Sequence, residues 1–344
     1  MLNNTLDPLK TSSYEYTLPK ELIATHPVHP ADDARLLIYN RLDETITHTT
    51  FKHLLDYLPE DISIFLNDTK VIKARIFGLK PSGGKVELLF NKPMPNDEYL
   101  CLIRGKVHVG TTICFDDNLN AEVTTLNEDG SRLVKFFQDE KQLDFLTLVE
   151  ILNKIGHLPL PPYMHREDEK SDNDDYQTLF AKNYGAVAAP TASLHFTPQL
   201  LEDLSNKFDI NYLTLHVGAG TFKPVDAENI LDHPMHSEYF EIPKKANEAL
   251  QMKKNILAVG TTVTRTIEYN ARNQKTFGEC DLFLNPSNEP IKVNHLLTNF
   301  HLPKSTLIML IASFVGIEKT MEIYDIAVKE KYRFFSYGDG MLII

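Results

Sequence analysis

The sequence predicts an α/β protein with a small all-β unit inserted in it. Three observations carry this. Strand and helix signals alternate from about residue 14 to 72, they alternate again from about 150 onward, and five short β-prone pieces lie between. Alternation on both flanks marks one discontinuous α/β domain, 1–72 with 150–344. The interruption, 73–149, has the strand spacing of a small antiparallel barrel or sandwich.

In chain order, Tyr16 to Ile23 is expected as a short helix, Leu36 to Tyr39 as a buried strand, and Phe51 to Tyr57 as a helical turn that ends before Pro59. Ile62 to Leu66 reads as a second apolar strand running into Asn67-Asp68-Thr69. The inserted strands are 86–90, 99–103, 111–115, 121–124 and 133–137. After Pro159-Leu160-Pro161-Pro162 the mixed pattern returns. It predicts helix 198–208, strand 212–217, helix 244–253, strand 256–259, helix 263–273, strands 281–284 and 296–299, and two last helices split by Gly316. The acidic stretch Glu167 to Asp175 is expected as a mobile loop.

Composition excludes several classes. A chain of 344 residues with 42% hydrophobic and 24% charged residues can bury a large core, and no apolar run approaches a membrane span. The first residues lack the basic and apolar regions of an export signal, so the expectation is a cytoplasmic protein. Cys101, Cys114 and Cys280 have no C-x-x-C spacing, and neither a disulfide framework nor a thiolate metal site is indicated. A net charge of −12 argues against a surface coated for phosphate binding. Between Phe65 and Lys106, however, eight basic residues stand against four acids, which fits either a local anion-binding face or a solvated sheet face.

The strongest chemical signal is Thr298-Asn299-Phe300-His301-Leu302-Pro303-Lys304-Ser305-Thr306. It places Asn299, His301 and Lys304 just before an apolar helix that Ser305 or Thr306 can cap. The free N–H groups of such a helix start attract negative charge. His216-Val217-Gly218-Ala219-Gly220-Thr221-Phe222 follows a strand, but Pro224 forbids the helix that a dinucleotide fingerprint needs. A tight turn close to a ligand remains. Val259-Gly260-Thr261-Thr262-Val263-Thr264-Arg265 is a strand, a turn and a helix start, suited either to holding an anion or to plain capping. His233-Pro234-Met235-His236 does not make a metal set, because Pro234 spoils the helical spacing. Gly185 to Thr197 is a run of small residues with a polar, aromatic tip. Tyr332 to Asp339 sets four aromatics beside Arg333 and Asp339, as in a core or a base-stacking face.

Taken together, these blocks resemble the S-adenosylmethionine:tRNA ribosyltransferase-isomerase family of queuosine biosynthesis. The matching stretches are 65–75, 159–163, 176–178, 185–197, 214–222, 233–238, 259–268, 298–306 and 332–342. Four places depart from the family pattern: Ser193 stands for Gly, Gly340 for Ala, Asn294 for Asp, and Pro286-Ser287-Asn288 for a Pro-Gly turn. The resemblance implies a barrel-like or layered α/β domain with an inserted β-barrel. It further implies transfer and isomerisation of the ribosyl part of S-adenosylmethionine onto 7-aminomethyl-7-deazaguanine at the tRNA wobble position. Epoxyqueuosine forms, and adenine and methionine leave. S-adenosylmethionine is then a consumed substrate, with no separate cofactor, no metal and no obligate protein partner, and the enzyme is expected as a monomer.

Such a reaction needs a base, an acid for adenine departure and donors for developing oxyanions. His216 and His301 are the base candidates implied, with Asp68, Asn67 and Asn299 orienting ribose or base groups. Arg265 and Lys304 would hold a carboxylate or phosphate, and Phe196 and Phe335 would stack. Gly218, Gly220, Thr261 and Asp339 complete the expected substrate contacts. Lys70, Lys73, Arg75, Lys85 and Arg166 are the expected tRNA contacts. A non-enzymatic RNA-binding module is disfavoured by the net charge, and a methyltransferase by the broken glycine motif.

Overall fold

The structure is a computed structural model that describes residues 6–222, 224–252 and 255–344. Strands β1 (Arg35–Asn40), β2 (Thr45–Thr50), β3 (Ser63–Asn67) and β4 (Thr69–Val71) open the chain. There follow β5 (Arg75–Leu79), β6 (Lys85–Met94), β7 (Glu98–Arg104), β8 (Thr112–Cys114), β9 (Leu119–Leu126), β10 (Ser131–Gln138) and the short β11 (Lys141–Gln142). Helices α1 (Phe145–Ile155) and α2 (Asp172–Asp175) lead to β12 (Asn183–Ala186), α3 (Pro198–Lys207), β13 (Asp209–Leu215), β14 (Glu238–Glu241), α4 (Lys244–Met252) and β15 (Ile256–Val259). The chain ends with α5 (Thr261–Asn273), β16 (Phe277–Cys280), β17 (His295–Asn299), α6 (Thr306–Val315), α7 (Ile317–Lys329) and β18 (Gly340–Ile343).

Nine strands form one mixed sheet in the order β16-β14-β13-β3-β15-β17-β18-β1-β2. Its centre, β13-β3-β15-β17, is parallel. Each central strand is buried on both faces, and the alternation of side chains decides which residue meets which core. Leu36, Ile38, Ile64, Leu66, Leu257, Val259 and Leu297 face a cluster that Leu200 and Leu204 of α3 complete. Their neighbours Leu37, Tyr39 and Leu296 face α6 and α7, while Phe65, Ile256 and Ala258 face α4 and α5. The large domain is therefore layered, and the described strands do not close on themselves.

The second sheet does close. β10, β7, β6, β5, β8 and β9 pair in turn, and β9 returns to β10. Inward side chains such as Ile76, Leu88, Phe90, Tyr99, Ile113, Val123 and Phe136 fill this six-stranded barrel. Helix α1, whose Asp144 cap accepts the Thr147 N–H at 2.9 Å, packs Leu148, Val149, Ile151 and Leu152 on the same core. Among the described residues no helix is long and apolar enough to cross a membrane.

Several elements differ from the sequence reading. The expected helix 16–23 is only a 3-10 turn at Lys20–Leu22, because Pro19 arrives extended. β2, Thr-rich and half-exposed, and β5, with Gly78 in it, carry too little apolar alternation to be read locally. Residues 281–284 form no ladder. The strand there is β16, paired to β14, and Leu284 is apolar because it enters the core without pairing. Lys253, the expected end of α4, and Lys223 of the Phe222–Pro224 stretch lie outside the described residues.

The acidic stretch is tied down instead of free. Asp172 is 1% exposed and accepts both Arg166 Nη atoms, the Tyr337 hydroxyl and the Glu169 N–H, each at 2.7 Å. Removing one partner of such a pair strands the other charge. Asp172→Ala should lower the unfolding free energy in urea by about 2–4 kcal/mol, discounted because Arg166 touches solvent. A loss below about 0.5 kcal/mol would show that Asp172 behaves as an ordinary surface acid.

Candidate active site

The parallel strands β3, β13, β15 and β17 end on one side of the sheet, where open α/β sheets hold their ligands. The chain after β15 and β17 builds a cleft there. It encloses ≈ 680 Å³ including its open mouth. Ala188 to Ala192, Val217, Thr221, Gly260 to Thr262, Thr298, Asn299, His301, Ser305, Phe335, Ser336 and Tyr163 line it. The small residues from Ala188 to Ala192 leave this space free.

Gly260 makes the entry to α5. Its φ of +97° is open to glycine, and its N–H bonds Leu297 O at 2.7 Å. Among the described residues no side chain caps α5, so the first-turn N–H groups of Thr261 and Thr262 stand uncapped at the cleft wall. Asn299, at the end of β17, is fixed from three sides. Its Oδ1 accepts from Thr191 at 2.8 Å, and its Nδ2 meets His195 Nε2 at 3.2 Å and Asp339 O at 3.4 Å. His301 bonds Thr298 Oγ1 through Nε2 at 2.9 Å. Burial pushes its imidazole down to about 3, so it is neutral at physiological pH. Phe335, with φ +72°, lays its ring 4.5 Å from that of Tyr163. The Tyr163 hydroxyl meets Ser336 Oγ at 2.5 Å and is pushed up to about 12 by burial.

The cleft thus brings together His301, Asn299, Thr261 and Phe335 of the sequence-derived set. His216 lies elsewhere. With Gly218 it lines a neighbouring cavity beside Asn91, Lys92, Phe145 and Tyr239, on the barrel side of Val217. Its Nδ1 meets Thr69 Oγ1 at 2.7 Å, and burial pushes it down to about 4. Asn67 is saturated internally by Leu215 O, Thr262 Oγ1 and the N–H groups of Thr69 and Leu215. Asp68 accepts from Thr214 and Asn183 and borders a separate groove with Phe180 and Tyr212. Phe196 is buried in the α3 core and cannot stack a ligand without leaving it.

Arg265 also points inward. It pairs with the buried Glu238 and donates to Leu282 O and Cys280 O. Asp339 accepts the N–H groups of Arg35 and Arg333, and burial raises its carboxyl. Lys304 turns outward to Glu15. Gly220 sits in the loop above, where a Cβ would press on the His236 ring at 3.0 Å. Among the expected tRNA contacts, Lys70 and Lys73 line an open groove in which the Lys70 ammonium lies 4.7 Å from the Tyr184 ring centre. Lys85 is exposed on the barrel. Arg75 is engaged by Glu87 and Glu167, and Arg166 by Asp172. Tyr163, Thr191, Thr221 and Thr262 also line the cleft; each lies in a segment the sequence singles out, but none was chosen there as a site residue.

The comparisons with known proteins agree on one answer. A family model described as queuosine biosynthesis protein matches residues 11–343. The chain belongs to the queuosine biosynthesis protein family. A relative from Aliarcobacter butzleri, named S-adenosylmethionine:tRNA ribosyltransferase-isomerase, is 73% identical over 98% of this chain and 100% of its own. One from Nitratiruptor with the same name is 60% identical over the same shares. A solved S-adenosylmethionine tRNA ribosyltransferase from Thermotoga maritima superposes with a TM-score of 0.54 at 33% identity, covering 96% of this chain and 100% of that one.

Membership also frames the departures. At Ser193 the hydroxyl is buried without a partner among the described residues, a cost that Gly avoids. At Gly340 a Cβ would stand 2.7 Å from the Phe51 ring, which fills the space of the usual Ala. Asn294 Oδ1 accepts the Ile256 N–H at 2.9 Å, a structural bond that Asp would make equally well.

The neutral buried histidines set a pH dependence. His195 and His301 are each pushed down to about 3, chiefly by burial, below an unfolded value of about 6.5. Their contribution is complete above pH 6.5 and is lost as pH falls toward the folded values, because the unfolded chain binds the protons first. Urea unfolding between pH 7 and 5 should weaken by up to about 1.4 kcal/mol per pH unit for each. A His301→Gln variant should show the shallower slope, and an unchanged slope would place His301 in contact with water.

Proposed function

We propose that the protein is an S-adenosylmethionine:tRNA ribosyltransferase-isomerase. It moves the ribosyl part of S-adenosylmethionine onto 7-aminomethyl-7-deazaguanine at the tRNA wobble position, and epoxyqueuosine-tRNA, adenine and methionine result. The supporting observation is an open cleft with convergent polar groups at the strand ends of a chain 73% identical to a whole relative named for that activity.

Within the cleft the chemistry divides by residue. The Phe335 and Tyr163 rings, tilted 50° to each other, offer an aromatic wall on which one ring face can meet adenine. The uncapped start of α5 offers N–H groups and a positive dipole end to a carboxylate or a developing oxyanion. Asn299, held by Thr191, His195 and Asp339, presents a rigid amide to ribose or base. His301 is the base candidate inside the cleft, while His216 serves the neighbouring cavity. S-adenosylmethionine is the consumed reactant, so the scheme calls for no separate cofactor. Lys70, Lys73 and Tyr184 supply cation and aromatic surface for a nucleic-acid strand, with Lys85 further out on the barrel.

The deciding experiment is mass spectrometry of the products from S-adenosylmethionine and tRNA carrying 7-aminomethyl-7-deazaguanine. Adenine and methionine with a matching mass gain on the tRNA are expected, whereas S-adenosylhomocysteine would mean methyl transfer and reject the reading. His301→Gln should lower kcat by about 10²–10⁴-fold if the imidazole moves a proton, and full turnover would remove it from the scheme. Reversing Lys70, Lys73 and Lys85 to Glu should raise KM for tRNA about tenfold or more at moderate salt and leave that for S-adenosylmethionine unchanged. Equal loss for both substrates would place these lysines outside the RNA face.

A further inference from the structure

Thr221 stands at the cleft wall with its hydroxyl direction dictated from behind. Its Oγ1 donates to Glu238 Oε1 at 2.9 Å, and the same oxygen accepts the Gly218 N–H at 2.9 Å. Glu238 is 2% exposed, and its other oxygen is paired with Arg265. A carboxylate held by a guanidinium carries no proton, so it can only accept. The single proton of Thr221 is therefore committed to Glu238, and the oxygen shows lone pairs elsewhere. His236 Nε2 lies 3.5 Å from that oxygen and 3.7 Å from Glu238 Oε1, so it can take one of the two hydroxyl lone pairs, and the second remains for a donor in the cleft that Thr221 lines.

Several other cleft hydroxyls are already engaged. Thr191 donates to Asn299, Ser305 donates to Leu302 O, and Ser336 and Thr298 meet Tyr163 and His301. Arg265, which anchors Glu238, lies one helical turn below Thr261, so the acceptor hydroxyl and the donor N–H groups at the start of α5 belong to one hydrogen-bonded unit. Donors and an acceptor in one unit match the α-carboxylate and α-ammonium groups of an amino acid.

We propose that Thr221 is the specificity residue for the α-ammonium group of S-adenosylmethionine, with Glu238 as the positioning residue that fixes its hydroxyl as an acceptor. This rests on the reading of the cleft as the S-adenosylmethionine site. The test compares Kd, by calorimetry, for S-adenosylmethionine and for its analogue lacking the α-amino group, in wild type, Thr221→Val and Thr221→Ser.

Wild type should prefer the amino compound by about 10- to 100-fold, the range for a hydrogen bond to a charged group. Thr221→Val should reduce the preference to threefold or less, chiefly by weakening the amino compound. Thr221→Ser should retain the preference, which a merely packing role for Thr221 would not explain. A Val variant that keeps the full preference, or weakens both ligands equally, overturns the assignment and leaves the proposed reaction standing. Failure of wild type to bind S-adenosylmethionine overturns both.

Discussion

The buried pair between Arg265 and Glu238 holds the site region in one arrangement. It joins α5 to β14, and through Arg265 it gathers Cys280 O of the edge strand β16 and Leu282 O just after it. Through Glu238 it sets the loop from Gly218 to Thr221. Burying two charges is expensive, and the pair is tolerated because both carboxylate oxygens and most of the guanidinium N–H groups find partners. The arrangement adds rigidity where a first helical turn and a glycine loop would otherwise be free to drift. Asn67 does the same between β3, β13 and α5 without any charge.

Much of the architecture was legible because it follows from periodicity. β1, β3, β15 and β17 read as short apolar runs, α3, α5, α6 and α7 carry helical stripes, and α3 and α6 also carry side-chain caps from Thr197 and Ser305, so local pattern placed them. What escaped depends on distant partners. β5 and β2 exist because neighbours pair with them, and α1 is helical because the barrel accepts its apolar face. Asp172 looks like one of six solvated acids in sequence, and only the fold shows it buried on Arg166.

The candidate site divides in the same way. His301, Asn299, Thr261 and Phe335 follow directly on strands or turns, and their positions could be read from the chain. Arg265 and Asn67 carry equally functional-looking groups, yet their partners are internal. Residue type announces what a group can bond, and only the packing decides whether a ligand or the protein satisfies it. Thr221 is the reverse case, an ordinary threonine given a direction by a carboxylate seventeen positions away.

The segment from His216 to Gly218 has a consequence for how this chain can change over time. His216 and Gly218 face one cavity and Val217 the other, in strict alternation beyond the end of β13. Inserting or deleting a single residue there would exchange the two sides, burying an imidazole where a valine now packs and opening a hole where the ring now stacks on Tyr239. Substitution at these positions is a graded change, but a shift in length is an all-or-none one. The partition between the cavities is therefore expected to drift in composition across descendants while its residue count stays frozen.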